Sequence, residues 1–501
     1  MCNNRPVKLS SADRMLKLLL LQSFSANVFL LVIMISCSLE MGNASRGIVD
    51  GLEAHQYQTL PLTSMLPPFV CDQTTSKGRK ASMKVVHKFG PCSARGQNSQ
   101  TMREILLRDQ SRVQSIQARL RSLSSAKING EIMGESETVD LPAVSEYPRG
   151  GGNYFVTVGL GTPAKDVELE FDTGSDLTWT QCRPCAAACY NQSLPIFDPA
   201  ASTTYSNLTC ASQACSNLEA TTGYPGQCDQ DSNVCFYTTS YLDETYSIGE
   251  LATDNLTLTS TNVVNGFVFG CGQNNSFVGG GDSAGLMGLG TAPLSIVSQT
   301  SQQFGKYFSY CLPTPTGSDG HLTFGKNNEN TNNLNYTHFL NSSSDKIGFY
   351  YIEILAIRVN GQKLPISPAV FQDPGTIIDS GTTLTYLPME AYKALRDGFK
   401  KQMTKYPMVP SSSDSDLCYN FTGYPNPAIP TISFVFGGDL VVYINPRGVL
   451  MGENAAEMCL AFLGNKNDNE TTIFGNYQQQ TFDVVYDVAG GQLGFAPGGC
   501  S

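Results

Sequence analysis

The stretch FDTGSDLTW (Phe171–Trp179) returns almost letter for letter as IDSGTTLTY (Ile378–Tyr386). The two aspartates lie 207 residues apart. That distance is most of a domain, so the fold must bring two like loops into one molecule. Each loop has a second marker downstream. Gly288, ending Leu286-Met287-Gly288, lies 116 residues after Asp172; Gly475, ending Ile473-Phe474-Gly475, lies 96 after Asp379. Two markers in the same order in both halves describe a duplicated lobe.

The residues before each aspartate, ELEF and GTII, are those of a buried strand, so each carboxylate sits where an isolated charge is expensive. Brought together across a lobe interface, two such carboxylates cannot both ionise easily and share one proton. Asp172 and Asp379 are therefore the candidate catalytic pair: the ionised member takes a proton from water and the protonated one polarises a carbonyl. Gly174 and Gly381 let the backbone turn close to the carboxylates. The hydroxyls of Thr173 and Ser380 are placed to lock the loops to each other, and those of Ser175 and Thr382 to hold the outer carboxylate oxygens. The alternative reading is a repeated buried turn without chemistry.

Short β-type runs separated by turns fill residues 153–501, among them YFVTVGLGTP, FYYIEILAIRV and FDVVYD. One clear helix, Pro388–Met403, opens on proline and ends on basic residues. The expected architecture is mostly β and bilobal. Ahead of it, Leu18–Leu39 is apolar and preceded by four basic residues, as in a signal peptide, with a signal anchor as the alternative reading. Residues 45–145 read as a propeptide: a strand in SMKVVHKFGPC, a helix over Thr101–Leu123 with Ile105, Val113, Ile116, Leu120 and Leu123 near one face, and a polar linker from Ser124. Residues 1–145 carry a charge of about +6 and residues 146–501 about −17. The basic segment is thus expected to cover an acidic cleft near neutral pH and to loosen as carboxylates protonate. The acidic body excludes nucleic acid as a partner.

Of 16 cysteines, 12 lie between Cys182 and Cys500, an even number that suits six bridges. The C-x-x-C in CRPCAAAC lacks the second knuckle or histidine pair of a zinc site, so no metal or cofactor is expected. Glycosylation candidates are Asn191, Asn207, Asn255, Asn274, Asn335, Asn341, Asn420 and Asn469. A secreted, apoplastic monomer without a lasting membrane anchor is expected, with the vacuole as the alternative site.

These segments, together with FGCGQNN, FSYCLP, IFGNYQQQTFDVVYD and GFAP, resemble the pepsin-like aspartic proteases, in particular the plant nepenthesin branch. The resemblance covers about residues 80–501. It implies a bilobal pepsin-like fold with an active-site cleft between two β lobes, 146–345 and 346–501, behind a signal peptide (1–44) and propeptide (45–145). It implies a secreted aspartic endopeptidase, made as a zymogen, whose partners are polypeptide substrates and its own propeptide. The implied disulfides are Cys182–Cys185, Cys189–Cys271, Cys210–Cys235, Cys215–Cys228, Cys311–Cys500 and Cys418–Cys459. A flap tyrosine falls on Tyr241, with Trp179 beside it, but Leu242 and Glu244 replace the glycines of the family's flap. Those substitutions keep open a second reading, a catalytically silent relative that binds or inhibits another enzyme. A third, serine chemistry at Ser283 in GDSAG, needs a histidine base, for which the body offers only His321 and His338, and the motif sits in a Gly-rich loop rather than on a strand-to-helix elbow.

Overall fold

Strand Ser82–His87 lies antiparallel between Gly320–Phe324 and Tyr154–Leu160, with Val85 opposite both Gly320 and Val156. The basic front segment is thereby woven into the body. In the computed structural model, described for residues 57–66, 82–87, 102–129 (side chains 103–121), 154–241, 245–277, 283–314, 320–326, 334–340, 348–412 and 415–500, this strand belongs to a 15-stranded sheet. The sheet runs through the N-terminal half and ends on Phe482–Asp487, Gln492–Pro497 and Asn335–His338. Sheets of five, four and four strands fill residues 350–474. The result is a mostly β, bilobal pepsin-like fold, and Gln56–Ser501 forms one compact unit. The expected signal peptide (1–44), Cys2, Cys37, Cys71, Cys92, Leu242, Glu244 and Asn341 lie outside the described residues.

Burial follows each strand's place. Tyr154–Leu160, covered on both faces, is buried at six of seven positions, as its continuous apolar run requires. Tyr246–Thr259 alternates and is half-buried. The helix expected over Pro388–Met403 runs Met389–Gln402 and buries Ala391, Tyr392, Leu395 and Phe399. Among the described residues no helix is long and apolar enough to cross a membrane.

The N-terminal helix, Met102–Asn129, overruns the linker expected from Ser124. Leu106, Val113 and Ile116 bury against Phe349, Tyr351, Ile377, Leu384 and Ile473, while Leu120 is partly buried against the same cluster. Ile105 stays half-buried, because Leu106 holds the inward position on that turn. Upstream, Tyr57–Thr59 adds an antiparallel strand to Ala428–Pro430.

Six disulfides close among the described residues, as expected of a chain that folds in an oxidising compartment. Cys311 joins Cys500 and Cys418 joins Cys459. The other four pairings differ from those expected. In place of Cys182–Cys185 and Cys189–Cys271, the structure joins Cys182 to Cys271 and Cys185 to Cys189. Strand Trp179–Gln181 runs parallel to Asn262–Ser276 with Thr180 opposite Cys271, which brings Cys182 to a Cα distance of 5.3 Å from Cys271. In place of Cys210–Cys235 and Cys215–Cys228, it joins Cys210 to Cys228 and Cys215 to Cys235. Cys228 and Cys235 face each other in a hairpin; the inward Cys235 meets the buried Cys215, and the exposed Cys228 meets the half-exposed Cys210.

Candidate functional site

Asp172 ends strand Lys165–Asp172 and Asp379 follows strand Thr376–Ile378. Each strand is flanked by a parallel partner bearing the second marker of the repeat: Gly288 lies opposite Asp172, and Phe474 opposite Ile378. The two loops then repeat each other bond for bond. Gly174 N–H donates to Asp172 Oδ1 at 2.9 Å and Gly381 N–H to Asp379 Oδ1 at 2.9 Å. The Ser175 hydroxyl donates to Asp172 Oδ2 at 2.5 Å and the Thr382 hydroxyl to Asp379 Oδ2 at 2.5 Å. Across the lobes, Thr173 N–H donates to Ser380 Oγ at 3.0 Å and Ser380 N–H to Thr173 Oγ1 at 2.8 Å. All eight loop residues named from the sequence therefore meet at one place.

The place is filled. Arg112, from the N-terminal helix, sets Nη2 2.6 Å from Asp172 Oδ1 and 3.0 Å from Asp379 Oδ2, with Nε 3.2 Å from Asp379 Oδ2 and 3.3 Å from Thr382 Oγ1. Arg112 is only 8% exposed. Burial alone would favour loss of its proton, but the two carboxylates reverse that and hold it firmly charged. Burial also pushes the Asp172 carboxyl up, yet Arg112, with the bonds from Ser175 and Gly174, brings it below the usual range. Asp379 stays raised, through burial and the neighbouring charge of Asp172, despite Arg112. The pair thus splits into one ionised and one more basic member. In an open cleft that split suits acid–base work on a bound water; here the guanidinium takes up the carboxylate oxygens instead.

A Cβ on Gly174 would stand 2.7 Å from Asp379 Oδ1 and 2.8 Å from Arg112 Nη2. Gly174→Ala is therefore expected to lower stability by about 1–3 kcal/mol. Thermal denaturation reads this as a drop in melting temperature; an unchanged value would refute the tight fit.

The helix has three further anchors. The Asp109 carboxylate accepts from the N–H groups of Thr383 and of Leu384, the latter at 2.8 Å. Gln117 exchanges two hydrogen bonds with the backbone of Thr471, at 2.7 and 2.9 Å. Arg119 reaches Asp176 Oδ2 at 3.3 Å. The sequence reading missed all four of these helix residues and Asp176. The basic surplus of the front segment pointed to a cation, but nothing local singles out Arg112. Asp176 was visible as the one strongly mismatched letter between the two repeats, standing where the second has Thr383.

Tyr241 lies partly buried against the cluster that holds Trp179, which is fully buried. Burial and the charge of Asp172 raise the tyrosine's pKa, which places it near the pair. Trp179 Nε1 lies close enough to bias that hydroxyl but makes no hydrogen bond of ordinary geometry. Ser283 is fully buried with its hydroxyl donating to Gly285 O at 2.6 Å, which leaves it unsuited to attack a substrate. Asn191, Asn335 and Asn469 are exposed; Asn207, Asn255, Asn274 and Asn420 are half-buried.

This geometry, two lobes locked by paired Asp-Thr/Ser-Gly loops, defines the pepsin-like class. The family model described as the xylanase inhibitor N-terminal half matches residues 154–326, and its C-terminal counterpart matches 349–497. An aspartyl protease family protein of Arabidopsis thaliana is 43% identical over 485 residues, covering 96% of this chain and 100% of its own. Aspartic proteinase nepenthesin-1 of Nepenthes gracilis is 40% identical over 368 residues, covering 70% and 79%. The crystal structure of basic 7S globulin from soybean matches with a TM-score of 0.54 at 24% identity, over 68% of this chain and 91% of that one, a likeness of fold. The chain belongs to the pepsin-like aspartic-protease superfamily, through its xylanase-inhibitor-type branch. That placement corrects the nepenthesin-branch expectation and, with it, the secreted endopeptidase made as a zymogen. The models that match both lobes are inhibitor halves, and the carboxylates that would serve hydrolysis are bound by Arg112.

Proposed function

We propose that this chain is a pepsin-fold binding protein that is catalytically silent and engages or inhibits another enzyme. The observation that carries the reading is the ion pair of Arg112 with both Asp172 and Asp379, which occupies the centre of the cleft. The inhibitor-type models of both lobes support it and suggest the partner's class, a xylan-cleaving glycoside hydrolase. On this reading the paired loops are retained because they lock the lobes. Thr173 and Ser380 exchange bonds between them, and the carboxylates organise the turns they belong to.

The same proposal takes residues 1–44 as a signal peptide and 45–145 as an internal partner of the lobes 146–345 and 346–501. It takes the apoplast, where such an enzyme would be met, as the working location. The exposed Asn191, Asn335 and Asn469 are its first glycan sites.

The test is to titrate purified, disulfide-intact full chain into an endo-xylanase assay, beside a peptide-cleavage assay from pH 3 to 7 with and without pepstatin. Saturable inhibition without cleavage is the expected result. Pepstatin-sensitive cleavage that disappears in Asp379→Asn would overturn the silent reading, and no inhibition at micromolar chain would remove the xylanase class.

A further inference from the structure

Arg119 lies two helical turns beyond Arg112 and ends in a site of its own. Its Nη2 donates to Asp176 Oδ2 at 3.3 Å and to the Thr221 carbonyl at 3.2 Å. Its Cζ stands 5.2 Å from the centroid of the Phe349 ring. A buried carboxylate, a carbonyl and an aromatic face are the three surfaces that a guanidinium satisfies together. Asp176 is 1% exposed and pinned from behind, since Ala292 N–H donates to its Oδ1 at 2.7 Å. Gly348 completes the shape: at φ +99° it has left-handed backbone, and a Cβ there would stand 2.8 Å from Asp176 Oδ2 and 2.9 Å from Arg119 Nη2. Asp176 and Thr221 come from the N-terminal lobe, while Phe349 begins the stretch matched by the C-terminal model.

We infer that Asp176, Thr221, Gly348 and Phe349 form a guanidinium-binding site separate from the carboxylate pair, and that the cleft selects a helix bearing a second arginine seven residues after the one seated on that pair. Seven residues of helix advance the side chain by about 10 Å and return it to nearly the same face. The site also gives the ligand a direction. At the equivalent position of the second repeat the body offers the Thr383 N–H instead of an acid, and there the helix supplies an acid, Asp109. The ligand is therefore a polypeptide helix of pattern Asp-x-x-Arg-x-x-x-x-x-x-Arg, which the chain's own residues 109–119 satisfy and which an outside partner displacing them has to match. This deepens the binding function proposed above and rests on it only for the existence of an outside partner.

The probe is a fluorescein-labelled peptide of residues 102–123, titrated by anisotropy into full-length chain carrying both Arg112→Gln and Arg119→Gln, whose own helix has lost both arginine seats and yields the cleft to the peptide. The unaltered peptide is expected to bind at least tenfold more tightly than a peptide with Arg119→Gln. A peptide with Arg121→Gln should bind like the unaltered one, because Arg121 is largely exposed and meets Glu470 only at 3.9 Å. Arg119→Lys should recover only part of the affinity, since an ammonium cannot satisfy carboxylate, carbonyl and ring at once. The ranked substitutions are all in the peptide and the protein is the same in every titration, so misfolding cannot produce the ranking. Equal binding of the Arg119→Gln and Arg121→Gln peptides would overturn the site, as would failure of the unaltered peptide to bind. Neither outcome depends on whether a xylanase is inhibited.

Discussion

Arg112→Gln is expected to destabilise the chain by about 3–5 kcal/mol at neutral pH, the usual cost of removing one partner from a buried ion pair. The argument is one of uncompensated charge. Asp172 and Asp379 are 1% and 0% exposed, and Arg112 is the cation seated between them. A glutamine amide can give back one or two hydrogen bonds but no charge. The more basic carboxyl, Asp379, must then bind a proton, or the helix must lift to admit water. Leu106, Val113 and Ile116 oppose lifting, since each buried side chain of this kind holds about 1.5–3 kcal/mol. The helix is thus expected to stay seated on average but to open locally far more often, while the lobes stay folded. Hydrogen exchange over residues 102–121 should quicken by orders of magnitude, with a smaller drop in melting temperature. Arg112→Lys should behave more like the glutamine variant than like the parent, because one ammonium cannot span Asp172, Asp379 and Thr382 as Nε and Nη2 do. Unchanged exchange in Arg112→Gln would mean that the apolar face alone seats the helix.

What the sequence disclosed divides along physical lines. The paired loops were legible because each is local: seven or eight consecutive letters specify a strand end, a glycine turn and its hydroxyl caps. Leu286-Met287-Gly288 and Ile473-Phe474-Gly475 were legible for the same reason, each a buried strand closing on a glycine. Disulfide pairing was not, because it depends on which strands lie side by side. The parallel register of Thr180 against Cys271 is invisible in the spacing of Cys182, Cys185 and Cys189. The occupant of the cleft was equally hidden. Arg112 is one of 17 basic residues in the first 145, and only the docked helix distinguishes it. The step from intact loops to protease activity failed at this point: the letters around Asp172 and Asp379 are the same whether the cleft holds water or a guanidinium.

Acidification supplies the second large effect, and its sign opposes the expectation drawn from charge balance. Asp109 and Asp176 are both pushed up to about 6, burial being the main cause in each. In the unfolded chain each titrates near its usual 3.8, so the folded form takes up its proton first as the pH falls. Each contribution is therefore full below about 3.8 and is lost as the pH rises through about 6, a span worth about 3 kcal/mol per group. His87, pushed down to about 3 by burial, works the other way: its contribution is full above 6.5 and is lost as the pH falls towards 3. Between pH 6 and 4 the two carboxyls together gain about 4 kcal/mol and the imidazole loses about 2.5, so stability should rise gently. Below about 4 the carboxyl gain is spent while His87 goes on losing; Asp172, whose pKa is lowered, joins it as the Arg112 pair is finally broken. Melting temperature followed from pH 3 to 8 should thus peak near 4–5 and fall on the acid side. Asp109→Asn should flatten the rise between 6 and 4, and His87→Leu should soften the acid fall. A curve that instead declines steadily from pH 7 would mean that Asp109 stays ionised against Thr383 and Leu384, and that the basic helix is loosened by acid as simple charge attraction requires.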